Sequence, residues 1–358
     1  MKYKILGLSG LKVSELCLGT MTFGEEFGIG AGEAPCRKIY DAFLDAGGNF
    51  LDTADMYNAG TSERMLGGFA ADQRDYLVLA SKYSLNTRGD DPNAGGSHRK
   101  NLVQSLDASL RRLQTDYLDL YWVHGWDGST DMAEVMRALD DQVRAGKILH
   151  LGISNAPAWV VAAANTLAAE RKLTPFTAMQ LHYNLIERSI ERDYFALART
   201  QEMAILPWSP LAGGLLTGKF DRDAREPAGE NSRLRTSPRR AQVLQGRNLE
   251  VAEAVSAMAA EIGCSPPQLA LAWMMRRTDA CVVPVIGART LVQLQDNLGA
   301  VALDIDAALI ERLDALTRLE PEYPQTLYAS EFFNTLMYGE VRERIELDRP
   351  WGILPDAD

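Results

Sequence analysis

An aspartate, a tyrosine, a lysine and a histidine each fall where a short apolar run ends. Asp52 and Tyr57 follow Gly48-Asn49-Phe50-Leu51, Lys82 follows Leu77-Val78-Leu79-Ala80-Ser81, and His124 follows Leu118-Asp119-Leu120-Tyr121-Trp122-Val123. Together these groups suit delivery of a proton to an oxygen that gains negative charge, as a carbonyl oxygen does when its carbon accepts a hydride. A phenol can supply that proton, although its ordinary pKa of about 10 is a poor match for neutral pH. A lysine ammonium beside it favours the phenolate and lowers that pKa. A carboxylate paired with the lysine keeps the ammonium charged and in place. An imidazole N–H aimed at the carbonyl oxygen orients substrate and steadies the developing charge.

Such groups converge only if the chain brings strand ends to one face, and the apolar pattern provides for that. Runs rich in Val, Ile and Leu at 15–18, 49–51, 77–80, 118–123, 149–153, 178–180, 204–207 and 281–285 read as strands. Amphipathic stretches at 34–46, 62–70, 99–113, 132–145, 158–171, 193–200, 248–262 and 291–298 read as the helices between and after them. This alternation predicts an α/β fold, a closed (β/α)8 TIM barrel whose chemistry lies at the C-terminal ends of its strands. Gly47-Gly48 and Gly146 stand where helices should end, and Pro157 falls near the first turn of its helix. Residues 3–14 read as a hairpin plugging the barrel's bottom. Extra helices are expected at 266–276 and 307–318, with the barrel as a single domain over 1–358 and a C-terminal extension over 318–358. A doubly wound sheet would need GxGxxG between a strand and a helix. The nearest candidate, Gly28-Ile29-Gly30-Ala31-Gly32, follows no strand and reads as a loop.

Composition narrows the class. The chain has 358 residues, is 46% hydrophobic and carries a formal net charge of −11, which argues against a nucleic-acid partner. Cys17, Cys36, Cys264 and Cys281 form no CxxC pair, and the four histidines are scattered, so neither a disulfide framework nor a metal site is expected. Glycines and a serine interrupt the first apolar residues, and no run approaches the roughly 20 residues of a membrane span. The expected location is cytoplasmic, with a small-molecule partner and no membrane; a homo-oligomer stays open.

The run Gly48-Asn49-Phe50-Leu51-Asp52-Thr53-Ala54, followed by Tyr57 and Ser62-Glu63, resembles the first signature of the aldo-keto reductase family. Ala80-Ser81-Lys82 and Asp116-Tyr117-Leu118-Asp119-Leu120-Tyr121-Trp122-Val123-His124 resemble the next two. Gly96-Ser97-His98-Arg99-Lys100-Asn101 is similar to the aryl-alcohol-dehydrogenase-like and potassium-channel-β-like branches. The resemblance implies NADPH-dependent interconversion of aldehydes or ketones and alcohols, with Tyr57 as proton donor assisted by Asp52, Lys82 and His124.

It also implies a cofactor rim. Ser154, Asn155 and Gln180 would hold the nicotinamide carboxamide, and Trp208, opening Trp208-Ser209-Pro210-Leu211-Ala212-Gly213, would stack on the ring. Gly19, Thr20 and Met21 would join this rim. Gly287 and Ala288 would open a helix facing a phosphate. Arg289 would take a ribose 2′-phosphate, favouring NADPH over NADH, and Gln293 and Asn297 would meet the adenine. Between Lys219 and Arg247 stand eight basic residues against four acidic ones. There Lys219 and Arg233 are expected to clamp the pyrophosphate, in a loop that folds over the cofactor. Met21, Phe23, Tyr57, Trp126 and Trp208 would make the substrate pocket aromatic, for bulky or aromatic carbonyls. The aromatic-rich tail would close the pocket or pack along the barrel wall. The alternative is a cofactor-sensing regulatory subunit with little turnover, against which stands a chain starting almost at the hairpin.

Overall fold

The structure is a computed structural model and describes residues 1–219, 244, 246–278 and 280–345. Arg233 and most of the basic loop lie outside the described residues.

Two hydrophobic clusters with different jobs organise the chain. Along the strand Leu118–Val123 (β6), Tyr121 and Val123 face an outer cluster against the helices, while Leu120 and Trp122 face an inner one. The period of two that defines a strand therefore sorts side chains between barrel wall and barrel interior. The same sorting runs through Phe50–Asp52 (β4), Val78–Tyr83 (β5), Phe176–His182 (β8) and Ala204–Trp208 (β9), where Phe50, Val78, Ala80, Ala178, Ala204 and Leu206 fill the interior. Gly152, on Ile148–Ser154 (β7), has no room for a side chain, since a Cβ there would sit 2.2 Å from the Trp122 ring.

One nine-stranded sheet forms the barrel, and its strands pair in parallel. Closure occurs within residues 281–286. Cys281–Val282 (β10) pairs with β9, and Val285–Ile286 (β11) pairs with Cys17–Gly19 (β3). Pro284 interrupts this eighth barrel strand, but its carbonyl still accepts from the Cys17 N–H at 2.9 Å. The closed (β/α)8 barrel expected from the sequence is the fold observed.

Tyr3–Ile5 (β1) and Lys12–Ser14 (β2) form an antiparallel hairpin. Two such short strands would be marginal alone. Leu6 and Val13 are fully buried in the inner cluster, and burying a side chain of this size contributes about 1.5–3 kcal/mol. The hairpin is thus a plug.

The helices Glu33–Asp45, Thr61–Ala70, Arg99–Leu113, Met132–Arg144, Ala158–Arg171, Tyr194–Thr200, Arg247–Glu261 and Leu291–Gly299 lie within one or two residues of expectation. Gly47 and Gly146 follow two of them with φ of 85° and 73°. Pro157 is the N-cap of its helix, one place ahead of the first turn. The extra helices are Pro266–Met275, opened by a Ser265–Gln268 capping box, and Ala307–Thr317. The four cysteines are free thiols.

Past the barrel, the tail forms Gln325–Tyr328 and Glu331–Tyr338. Neither helix has a buried residue, and Phe332 and Met337 are 71% and 60% exposed. Leu327, Tyr328 and Phe333 are half-buried, and the tail is tied to Arg192 through Glu322 at 2.7 Å and through Gln325 Nε2, which donates to the Arg192 carbonyl at 3.5 Å. No helix among the described residues is long and apolar enough to cross a membrane.

Candidate active site

The inner-facing rows run out at the strands' C-terminal ends, where apolar residues give way to chemical ones. Phe50 is followed two residues later by Asp52, Ala80 by Lys82, and Trp122 by His124. Ala178 leads to Gln180 and His182, and Leu206 to Trp208. One alternation thus builds both the core and the site above it.

Lys82 is fully buried, and its ammonium donates to three acceptors: the Asp52 carboxylate, the Thr53 carbonyl at 2.8 Å and the Tyr57 hydroxyl at 3.1 Å. An ammonium has three protons, and each is used. Burial pulls Lys82 toward the neutral form, but Asp52 and Tyr57 outweigh it and hold the pKa above the ordinary lysine value. The other Asp52 oxygen accepts from Gln180 Nε2 at 3.0 Å, which ties the fourth strand to the eighth across the barrel mouth.

Tyr57 stands on the turn Tyr57–Gly60, just past β4. Burial raises its pKa above that of a free phenol, and the Lys82 charge opposes this only in part. The expected net lowering is therefore reversed in the structure, because desolvation of the phenolate wins. A raised pKa keeps the phenol protonated near neutrality, as a proton donor must be. His124 meets Tyr57 edge to face, with ring centres 5.8 Å apart. Burial first, and then the Lys82 charge, push His124 down to about 3, so its imidazole is neutral. Its buried Nδ1 has no hydrogen-bond partner among the described residues.

Beside the tetrad lies a second network. Trp208 Nε1 donates to Asn155 Oδ1 at 3.1 Å, while Asn155 Nδ2 donates to Ser154 Oγ and to the His124 carbonyl, both at 2.8 Å. Ser154 Oγ donates to the Gln180 carbonyl at 2.8 Å. Asn155 and Ser209 hold φ of 52° and 54°, the left-handed conformation that costs a residue with a Cβ about 1–2 kcal/mol. Backbone strain of this kind gathers at sites where geometry is imposed. An indole plate, an amide pair and a hydroxyl converging beside a phenol fit a nicotinamide.

At the far side of the mouth the fit is partial. Helix Leu291–Gly299 opens where its apolar pattern begins, with Thr290 as N-cap accepting from the Gln293 N–H, so Gly287 and Ala288 lie in the loop ahead of it and do not open it. Gln293 Oε1 accepts from the Arg289 N–H at 2.9 Å, and Asn297, buried, donates to the Gly287 carbonyl at 3.4 Å. These two amides brace the 287–289 loop. Arg289 stands on that loop, and Lys219 is exposed.

Two expected rim and pocket residues, Phe23 and Thr20, are fully buried. Phe23 is fully buried and meets Phe69 with ring centres 6.3 Å apart, so it belongs to the outer core and offers no surface to a substrate. Thr20 is fully buried in a hydroxyl cluster with Ser62 and Thr53, and its Oγ1 donates to the Asp52 carbonyl at 3.1 Å. Met21 is half-buried and presents its carbonyl to Asn58 at 2.9 Å. Trp126 is half-buried against the outer core, and Pro210, Leu211 and Gly213 lie on the turn after Trp208. Gly19 ends β3 opposite Asp52 in the register.

The sequence reading passed over Asn58 and Asp55. Asn58 is fully buried at φ 46°, accepts from the Phe27 N–H and donates to the Met21 and Phe23 carbonyls, all at 2.9–3.0 Å. It binds the loop after β3 to the residue following Tyr57. A Cβ on Gly24 would come within 2.8 Å of Asn58, so the loop can approach only as glycine. An asparagine directly after the tyrosine was the available signal, since asparagine tolerates left-handed backbone. Asp55 is buried with neither carboxylate oxygen hydrogen-bonded among the described residues, and burial, reinforced by Glu63, pushes it up to about 7. Among the described residues, no group of three or more His, Cys, Asp or Glu side chains is placed to hold a metal.

The profile of the Aldo/keto reductase family matches residues 15–318. Norsolorinic acid reductase of Aspergillus flavus is 35% identical over 90% of this chain and 82% of its own. An aryl-alcohol dehydrogenase of Pestalotiopsis microspora is 34% identical over 87% of this chain and 81% of its own. An oxidoreductase of Bacillus subtilis is 35% identical over 88% of this chain and 95% of its own. The chain belongs to the aldo/keto reductase family, an oxidoreductase family acting on carbonyl groups.

Proposed function

We propose that this protein is an NADPH-dependent reductase of bulky or aromatic aldehydes and ketones, working also in reverse, with Tyr57 as its proton donor. The observation that carries the reading is the fully buried Lys82, bonded at once to Asp52 and to the Tyr57 hydroxyl, with His124 at the edge of the phenol. NADPH, when bound, supplies the hydride, which no protein side chain can donate. Trp208 and Ser209, with Ser154, Asn155 and Gln180, would hold its nicotinamide, and Gly287, Arg289 and Lys219 its phosphates.

The protein's own part is to place and protonate. Neutral His124 and the Tyr57 hydroxyl hold the carbonyl oxygen, and Tyr57 gives its proton as negative charge builds there. Lys82, held charged by Asp52, then lies beside the phenolate and stabilises it. The alcohol oxidation runs the same proton backwards. A relative named aryl-alcohol dehydrogenase supports an aromatic substrate, and one named norsolorinic acid reductase supports working in the direction of reduction. A soluble cytoplasmic enzyme needing no metal is the setting we infer. Loss of reduced-nicotinamide absorbance across aromatic and aliphatic carbonyls tests the reading. Turnover favouring small aliphatic aldehydes would overturn the substrate class. Tight NADPH binding without turnover on any carbonyl would favour the regulatory subunit instead.

A further inference from the structure

His182 and Trp208 are register partners on neighbouring strands, and their rings lie nearly parallel, with centres 4.1 Å apart and planes at 8°. Both side chains belong to the inner-facing rows that carry the site. The indole is held at two further points. Its N–H is bound by Asn155, and the carbonyl of the next residue, Ser209, accepts from Asn184 Nδ2 at 3.1 Å. The same Asn184 nitrogen lies 3.4 Å from His182 Nε2, so one amide spans the imidazole and the backbone that carries the indole. The proposed mechanism uses neither His182 nor Asn184.

We propose that His182 is a positioning residue for the nicotinamide: its imidazole covers the back face of the Trp208 indole and fixes the plane on which the cofactor ring rests. This inference rests on the proposed role of Trp208. A tryptophan at a strand end retains side-chain freedom that binding would otherwise have to remove, and ordering a side chain in advance raises affinity by cutting that cost. With one face covered by a ring and the N–H already satisfied, only the opposite face of the indole remains to receive a second ring. Burial lowers the pKa of His182, with Glu187 opposing, so the covering ring is neutral near pH 7. A neutral ring at the back leaves the indole face electron-rich, which suits the cationic ring of the oxidised nicotinamide.

Calorimetric titration with NADPH tests this on wild type, His182→Ala, His182→Phe, Trp208→Leu and the double variant His182→Ala/Trp208→Leu. His182→Ala should raise Kd and KM for NADPH by roughly 3–10-fold, the range expected for a stacked aromatic pair. That change should exceed any change in kcat. His182→Phe, which keeps a flat ring, should restore Kd to within about twofold, and His182→Ala should add nothing in the Trp208→Leu background. Unchanged or tighter binding by His182→Ala overturns the proposal, the latter placing the imidazole on the face the nicotinamide needs. Independent, additive losses overturn it as well. If Trp208→Leu alone leaves Kd unchanged, the cofactor reading of this rim falls with it. Should His182→Ala not fold, His182→Leu carries the same comparison against His182→Phe.

Discussion

The rings of Tyr57 and His124 meet edge to face, with centres 5.8 Å apart and planes at 82°. Both residues are half-buried just past strand ends, Tyr57 after β4 and His124 after β6. Lys82 reaches the same phenol from behind, 4.6 Å from the ring centre and 3.1 Å from the hydroxyl. Phenol, imidazole and ammonium are thus brought together from three strand ends.

The buried Asp52–Lys82 pair makes a stability prediction. Asp52→Asn keeps the shape but leaves an ammonium in the core without its counter-charge, and breaking such a pair costs about 3–5 kcal/mol. Urea unfolding should show a loss of that order, together with loss of turnover. A loss below about 1 kcal/mol would mean that Lys82 gives up its proton and that the pair does not hold the charge.

Asp55 predicts a pH dependence. Its folded pKa, about 7, lies above the unfolded carboxylate value, so the folded state keeps a proton that the unfolded state releases. Its contribution to stability is therefore fully present below about pH 4 and is lost as pH rises through 7. Asp55→Asn should flatten the fall in stability between those values, measured by denaturant unfolding across pH. An unchanged slope would show that Asp55 ionises normally in the fold.

How much of this was legible beforehand follows from the strand rule. A period of two fixes which residues point inward, so Asp52, Lys82, His124, Gln180 and Trp208 could be read from the apolar runs that precede them. Phe23 and Thr20 were misread because they follow β3 in a loop, where no period sorts inside from outside. Asn58 and the bracing of 287–289 by Gln293 and Asn297 depend on contacts between loops distant in sequence, which local pattern does not encode. The net direction of the Tyr57 shift was missed for a related reason. Neighbouring charges can be guessed from motifs, but the depth of burial that outweighs them belongs to the folded chain. The barrel's tail was also beyond pattern, since amphipathic spacing in 331–338 says nothing about what covers its apolar face.

Asn58 separates backbone strain from tethering. Asn58→Gly accepts the φ of 46° but loses three hydrogen bonds, whereas Asn58→Ala loses the same bonds and keeps the strain. Both should destabilise, with alanine the worse by about 1 kcal/mol. Thermal unfolding of the two variants checks the order, and equal stability would deny the strain at this position.

Arg289 should govern the choice of nucleotide. A charge-assisted hydrogen bond is worth about 1.5–3 kcal/mol, so Arg289→Ala should weaken NADPH binding by roughly 10–100-fold and leave NADH within about twofold. Paired titrations with the two nucleotides decide it. Equal weakening of both would move the 2′-phosphate site elsewhere.

The proposed chemistry turns on Tyr57 protonating the carbonyl oxygen. The most direct measurement compares wild type with Tyr57→Phe, following NADPH oxidation with an aromatic aldehyde while measuring NADPH affinity separately. Loss of general-acid catalysis is worth about 10²–10⁴-fold in rate, so kcat should fall by that factor while Kd for NADPH stays within about twofold. Turnover within tenfold of wild type, with NADPH still bound, would rule out Tyr57 as the acid and require another proton donor.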